Sequence, residues 1–146
     1  MLAMLGFGLM AGEAHAAEGR HAIVLKINGS AQVRINQGEW KAAEAGMVLH
    51  EKDEIKTARK STVKILLDDG GSTGQLELKP ESRLNLDTMP REPASGDKTT
   101  ILDLAIGDVL VHAQKLQGQS QFKVRTPNAT TGVRGTTFLV STSPKK

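Results

Sequence analysis

Apolar residues recur in this chain with a period of two. Val33-Arg34-Ile35, Val63-Lys64-Ile65, Leu76-Glu77-Leu78, Leu84-Asn85-Leu86, Leu102-Asp103-Leu104 and Phe122-Lys123-Val124 each put a polar residue between two apolar ones. Val109-Leu110-Val111 and Phe138-Leu139-Val140 repeat the spacing with leucine in the middle. Period two places one set of side chains inside and the other outside, so these are half-buried strands. Helical periodicity is almost absent. Many short strands at a spacing of roughly 8–12 residues predict an all-β sandwich, barrel or solenoid.

The polar stretches between them supply turns. The pattern predicts a strand over Ala22 to Ile27, a hairpin turn at Asn28-Gly29 and a return strand over Ala31 to Ile35. Asn36-Gln37-Gly38 turns again before Trp40, and Ala43 to His50 fits no single element. After the polar break Glu51 to Glu54 come Ile55 to Thr57 and Ser61 to Leu67. Asp68-Asp69-Gly70-Gly71 is a turn, and Lys79-Pro80-Glu81-Ser82 separates two more short strands. Thr88 to Lys98, with Pro90 and Pro93, is the longest predicted loop and a candidate contact surface. Thr99 to Leu104 and Val109 to His112 read as a strand pair about Gly107-Asp108, and Ala113 to Gln121 as a polar connection.

Phe122 to Val140 reads as strand, tight turn, strand. Thr126-Pro127-Asn128 interrupts the ladder, because proline has no N–H to donate. Val133-Arg134-Gly135-Thr136 then puts a charge and a glycine into an apolar pattern. A partly buried ion pair of Arg134 with Asp53 or Asp108 is the favoured account of the charge, contact with a partner the alternative, and close approach of another backbone accounts for Gly135.

Composition changes the picture at the N-terminus. Leu2 to Gly12 is apolar, and Ala14-His15-Ala16 has the small-x-small form of a cleavage site. Residues 1–16 are therefore expected to be a secretory signal peptide, although no Lys or Arg precedes the apolar run. One domain follows, residues 17–146, ending in a frayed tail at 143–146. Removing residues 1–16 removes only Glu13 among the charged residues, leaving 19 basic and 15 acidic residues, a net +4. A periplasmic or secreted location follows, and the absence of cysteine excludes disulfides and thiolate chemistry.

Candidate chemistry is sparse. The basic residues are dispersed, and Trp40, Phe122 and Phe138 are too few aromatics for a base-stacking platform, which excludes nucleic acid. His21, His50 and His112 have no partner at metal-ligand spacing. Asp68 and Asp69 lack the spaced oxygen ligands of a calcium loop. No nucleophile elbow or phosphate-binding glycine loop occurs, so no catalytic residue, cofactor or metal site is assigned.

Taken together, the segments resemble the FecR family of periplasmic domains. The resemblance rests on Gly29-Ser30-Ala31-Gln32-Val33, Trp40, Asp53-Glu54-Ile55-Lys56-Thr57 and Ser61 to Gly70. It continues through Leu76 to Leu86, Leu104 to Val109 and the closing Thr126-Pro127-Asn128-Ala129-Thr130-Thr131-Gly132-Val133-Arg134-Gly135-Thr136-Thr137-Phe138. Asp53, Thr57, Asp69, Gly70, Thr126, Pro127, Gly132, Arg134, Gly135 and Thr136 are its motif positions, read as structural. Lys52 departs from it, standing where glycine is usual.

The resemblance implies an all-β domain, solenoid-like or a twisted double sheet, of the type that relays signals across the envelope in iron-citrate regulators. The chain is expected to be a non-enzymatic, stand-alone interaction module, an accessory in such signalling, with an envelope protein or polymer as partner. The alternative is a structural or peptidoglycan- or polysaccharide-binding protein of the envelope.

Overall fold

The structure, a computed structural model, describes residues 18–142 apart from 134 and 136. Its strands are β1 (Glu18–Gly19), β2 (Ala22–Asn28), β3 (Ala31–Arg34), β4 (Trp40–Ala42), β5 (Val48–Leu49), β6 (Glu54–Thr57) and β7 (Thr62–Leu67). They continue as β8 (Gly74–Leu78), β9 (Arg83–Thr88), β10 (Pro90–Arg91), β11 (Thr99–Ala113), β12 (Gln121–Thr126), β13 (Ala129–Gly132) and β14 (Thr137–Thr142). Among the described residues there is no α-helix, only a 3-10 turn at Asp69–Gly71. The fold is all-β, as the period of two predicts.

Twelve strands form one strongly curled sheet, a half-barrel with two walls. Wall I runs β5-β2-β7-β8-β11-β14, and wall II runs β4-β3-β6-β9-β11-β12-β13. Neighbours are antiparallel except β11 and β12, which are parallel. The long β11 belongs to both walls. Its first half pairs with β9 and β12, and its second half with β8 and β14. The apolar positions of the triplets line the space between the walls: Val33, Ile55, Val63, Ile65, Leu76, Leu78, Leu84, Leu86, Leu102, Leu104, Val109 and Val111 are fully buried.

Several predicted connections differ from the observed ones. Asn28-Gly29 is not a hairpin turn, because β2 pairs with β5 and β7 while β3 pairs with β4 and β6. With φ of +92°, Gly29 instead carries the chain around a corner from one wall to the other. Thr99 to Leu104 and Val109 to His112 are one strand rather than a pair, bent at Gly107 (φ +94°), where it too changes walls. In both cases the apolar faces on either side of the glycine reach the common core from opposite walls, which a hairpin does not allow.

In the closing segment, β12 does end at Thr126, and Pro127-Asn128 forms the turn. The strand that returns along β12 is Ala129–Gly132, whereas Phe138 and Val140 lie on β14 in the other wall. The Thr88 to Lys98 loop contains β10, which pairs with β1, and an Arg91–Lys98 bridge. Ala43 to His50 resolves into turns around the short β5.

The corners stack on each other at the junction of the walls. The Thr57 hydroxyl donates to the Lys79 carbonyl at 2.6 Å and accepts from the Ser82 N–H at 2.9 Å. The Ser61 hydroxyl accepts from the Ser30 N–H, and the Ser82 hydroxyl from the Asp108 N–H. Buried backbone groups of the turning chain are thereby satisfied by side chains where no ladder partner is present.

Candidate functional site

The outer face of wall II carries a polar row that crosses seven strands. Strand register puts Trp40 (β4), Arg34 (β3), Glu54 (β6), Asn85 (β9), Asp103 (β11), Arg125 (β12) and Thr130 (β13) side by side. At about 4.8 Å between strands, the row is roughly 29 Å long. It exists because the outward residue of each triplet here is polar or charged.

Its most concentrated chemistry is around Trp40, the chain's single tryptophan. The Lys56 Nζ lies 4.1 Å from the ring centroid, and the guanidinium carbons of Arg34 and Arg83 lie at 5.1 and 5.4 Å. These are cation–π distances. Glu54 is buried beside them and pairs with both arginines. Its Oε1 accepts from Arg83 Nε and Nη2 at 3.0 and 2.9 Å, and its Oε2 accepts from Arg34 Nε and Nη2. Burial works to raise the Glu54 carboxyl, but the hydrogen bonds and charges of the two arginines outweigh it and hold the group below its ordinary value. Three cations thus face one carboxylate, and Lys56 has no acidic partner among the described residues.

At the other end of the row, Arg125 pairs with Asp103 (2.6 and 2.9 Å) and with Asp87 (3.0 Å), which also takes Lys52 at 3.0 Å. The Asn85 Oδ1 atom between these groups is buried without a hydrogen-bond partner among the described residues.

A second charged cluster is internal. Arg20 is 5% exposed and reaches Asp68 through Nε (3.0 Å) and Nη2 (2.8 Å), Thr100 Oγ1 at 2.8 Å and the Thr99 carbonyl at 2.9 Å. Asp68 also accepts from Thr73, and Lys98 lies 3.7 Å away. Every polar atom is used within the fold, so this cluster is a structural tie between the N-terminal strand and both walls. A cavity of about 470 Å³ lies by the closing segment, lined by Leu116, Gln121, Phe122, Lys123, Gly132 and Val133.

Residues 53–146, more than half of the chain, match the family described as FecR protein. The chain belongs to the FecR family. No curated protein and no solved structure matches it. FecR domains are associated with FecR-type signalling and are generally non-catalytic. Among the described residues no group of three His, Cys, Asp or Glu is placed to hold a metal ion, and no helix is long and apolar enough to cross a membrane. The match begins at Asp53, yet β2 to β5 fill places in both walls, so the FecR fold of this chain is built from residues before the matched region as well.

The motif positions of the FecR domain do not converge on one place. Asp53 accepts from the backbone N–H of Asn36 and of His50, each at 2.8 Å, and so fixes two turns. Thr57 joins two corners. Asp69 is exposed with His21 Nε2 at 3.1 Å, and Gly70 takes φ of +63° in the 3-10 turn. Thr126 closes the β12–β13 turn by accepting from Ala129 N–H at 3.1 Å, Pro127 occupies that turn, and Gly132 is an exposed strand end. Gly135 takes φ of +48°, with Lys115 Cα 3.4 Å from where a Cβ would be. Its backbone angle, rather than tight packing, is what calls for glycine. Arg134 and Thr136 lie outside the described residues. Lys52, just before the matched residues, forms its turn with φ of +77°.

Sequence reasoning missed the Trp40 cluster and the Arg20–Asp68 tie. Outward positions of Arg34, Glu54 and Arg83 follow from the triplets, but their adjacency needs strand order. Nothing in the sequence links Arg20 to Asp68, 48 residues apart.

Proposed function

We propose that this FecR domain is a non-enzymatic interaction module of the periplasm, an accessory in FecR-type envelope signalling, that meets a partner protein through the outer face of wall II. The observation that carries the reading is the uncompensated positive charge gathered around a half-buried tryptophan on that face. Tryptophan and arginine are the side chains most often found as energetic anchors of protein interfaces. Among the described residues the cations of the other ion pairs each contact a carboxylate, whereas this cluster leaves Lys56 without one.

Envelope-polysaccharide binding is the less favoured reading, because a ring attended by three cations has little free face on which a sugar can stack. Site-specific photocrosslinking in envelope preparations of the native host tests the proposal. A crosslinker at Gln32, beside Lys56 on wall II, is expected to trap a specific protein identifiable by mass spectrometry. One at Lys64, on the outer face of wall I, is expected not to. Trapping from Lys64 alone, or from neither position, refutes it.

A further inference from the structure

The partner's chemistry can be read from the same face, and this inference rests on the reading just given. We propose that the free edge of β4 receives an extended acidic segment of a partner protein, with a carboxylate paired to Lys56 beside the Trp40 ring.

Three observations carry this. First, Arg34, Lys56 and Arg83 crowd one ring while, among the described residues, Glu54 alone supplies a carboxylate to them. Like charges this close repel each other, and Glu54 is already saturated by the two arginines, so an added carboxylate relieves repulsion that the fold leaves standing. Second, among the described residues β4 pairs only with β3, so its other edge presents unpaired backbone groups. An extended peptide matches such an edge group by group, and a glycan does not. Third, Trp40 and Ala42 share the outer face while Lys41 points the other way, so only alternate residues of an added strand lie over the cations. The segment recognised therefore has acidic residues at every second position.

Trp40 itself reports the event. The chain has one tryptophan and no tyrosine, so its intrinsic emission comes from this cluster. The probe is a capped eight-residue peptide of alternating Glu and Thr, titrated into the whole protein. A saturable change in Trp40 emission is expected, weakened about five-fold in Lys56→Gln by loss of one charge-assisted contact. It is expected to be absent with an alternating Lys and Thr peptide. An N-methylated Glu and Thr peptide keeps its charges but cannot pair with the edge, and it too is expected to be silent. Because Arg83→Gln removes a second, half-exposed cation, it provides an independent variant should Lys56→Gln fold poorly; both are checked by circular dichroism. Equal binding by wild type and variants, undiminished binding of the N-methylated peptide, or no response to the Glu and Thr peptide overturns the proposal. A response to polygalacturonate with the peptide silent assigns the face to anionic glycans instead. If crosslinking from Gln32 still traps a protein while the peptide is silent, the interaction reading stands and only the acidic-segment inference falls.

Discussion

Ser61 and Ser82 are equivalent residues of two corners. Ser61 Oγ accepts from the Ser30 N–H at 3.0 Å and donates to Arg59 O, while Ser82 Oγ accepts from the Asp108 N–H at 2.8 Å and donates to Pro80 O. Each serine follows a residue in the left-handed region, Lys60 (φ +53°) or Glu81 (φ +54°), and each lies against a glycine of another corner, Gly29 or Gly107. A Cβ on Gly107 would stand 2.5 Å from Ser82 Cα, and one on Gly29 would stand 2.9 Å from Ser61 Cβ and 3.1 Å from its Cα. Backbone cannot yield as a side chain can. Gly107→Ala is expected to cost about 3 kcal/mol or more, and Gly29→Ala less, from positive-φ strain plus overlap. Urea unfolding measures both, and a Gly107→Ala variant as stable as wild type would remove the steric account.

Arg20 ties the segment between β1 and β2 to the core. Replacing it with methionine leaves Asp68 nearly buried with Thr73 and Lys98 alone, and the expected cost is about 3–5 kcal/mol. Asp68 has φ of +66°, which glycine adopts freely. Arg20→Met with Asp68→Gly is therefore expected to recover at least about 1 kcal/mol of the single-variant loss. Additive losses in chemical denaturation would show that the pair is not coupled.

Acid should unfold the domain through its carboxylates. Burial alone would raise Asp68, but hydrogen bonds from Arg20 and Thr73, with the charges of Arg20 and Lys98, hold it below its ordinary value. Glu54 is lowered in the same sense. A group depressed in the folded state binds fewer protons there than when unfolded. Its contribution is complete above the unfolded value of about 4 and is lost as pH falls through the folded one. Denaturation midpoints are expected to be level from neutral pH to about pH 5 and to decline below about pH 4. Glu54→Gln should make that decline shallower. A midpoint that holds or rises below pH 4 contradicts this.

Lys52 bears a backbone cost that glycine would avoid. Its φ of +77° disfavours any side chain, and its compensation is an exposed ion pair with Asp87. Such a pair contributes little, about 0–1 kcal/mol. Lys52→Gly is expected to leave stability within about 1 kcal/mol of wild type or to raise it. A larger loss in thermal or chemical melts would mean that the Asp87 contact matters more than the strain.

The inward faces were legible from the triplets, because period two alone decides which side chains of Val63-Lys64-Ile65 or Leu84-Asn85-Leu86 meet the core. Strand partners were not. Asn28-Gly29 has the local chemistry of a hairpin, and only the positions of β5, β6 and β7 turn it into a corner between walls. Gly107-Asp108 misled in the same way, since glycine permits a bend inside a strand as readily as a turn between two. The Trp40 cluster was hidden for the same reason. Its members come from β3, β4, β6 and β9, and their meeting depends on an order of strands that local pattern does not encode.

The sharing of β11 between the walls has a consequence for the order of assembly. Before residues 99–113 arrive, wall I ends at β8 and wall II at β9, each with an open ladder and an apolar face lacking its central neighbour. The first two-thirds of the chain therefore has nothing with which to close its own core. Contacts that close it are distant in sequence, which makes for slow formation. A chain emerging from its N-terminus has its two walls joined only when the last third is released, by a single strand on which β14 and the β12–β13 pair then build.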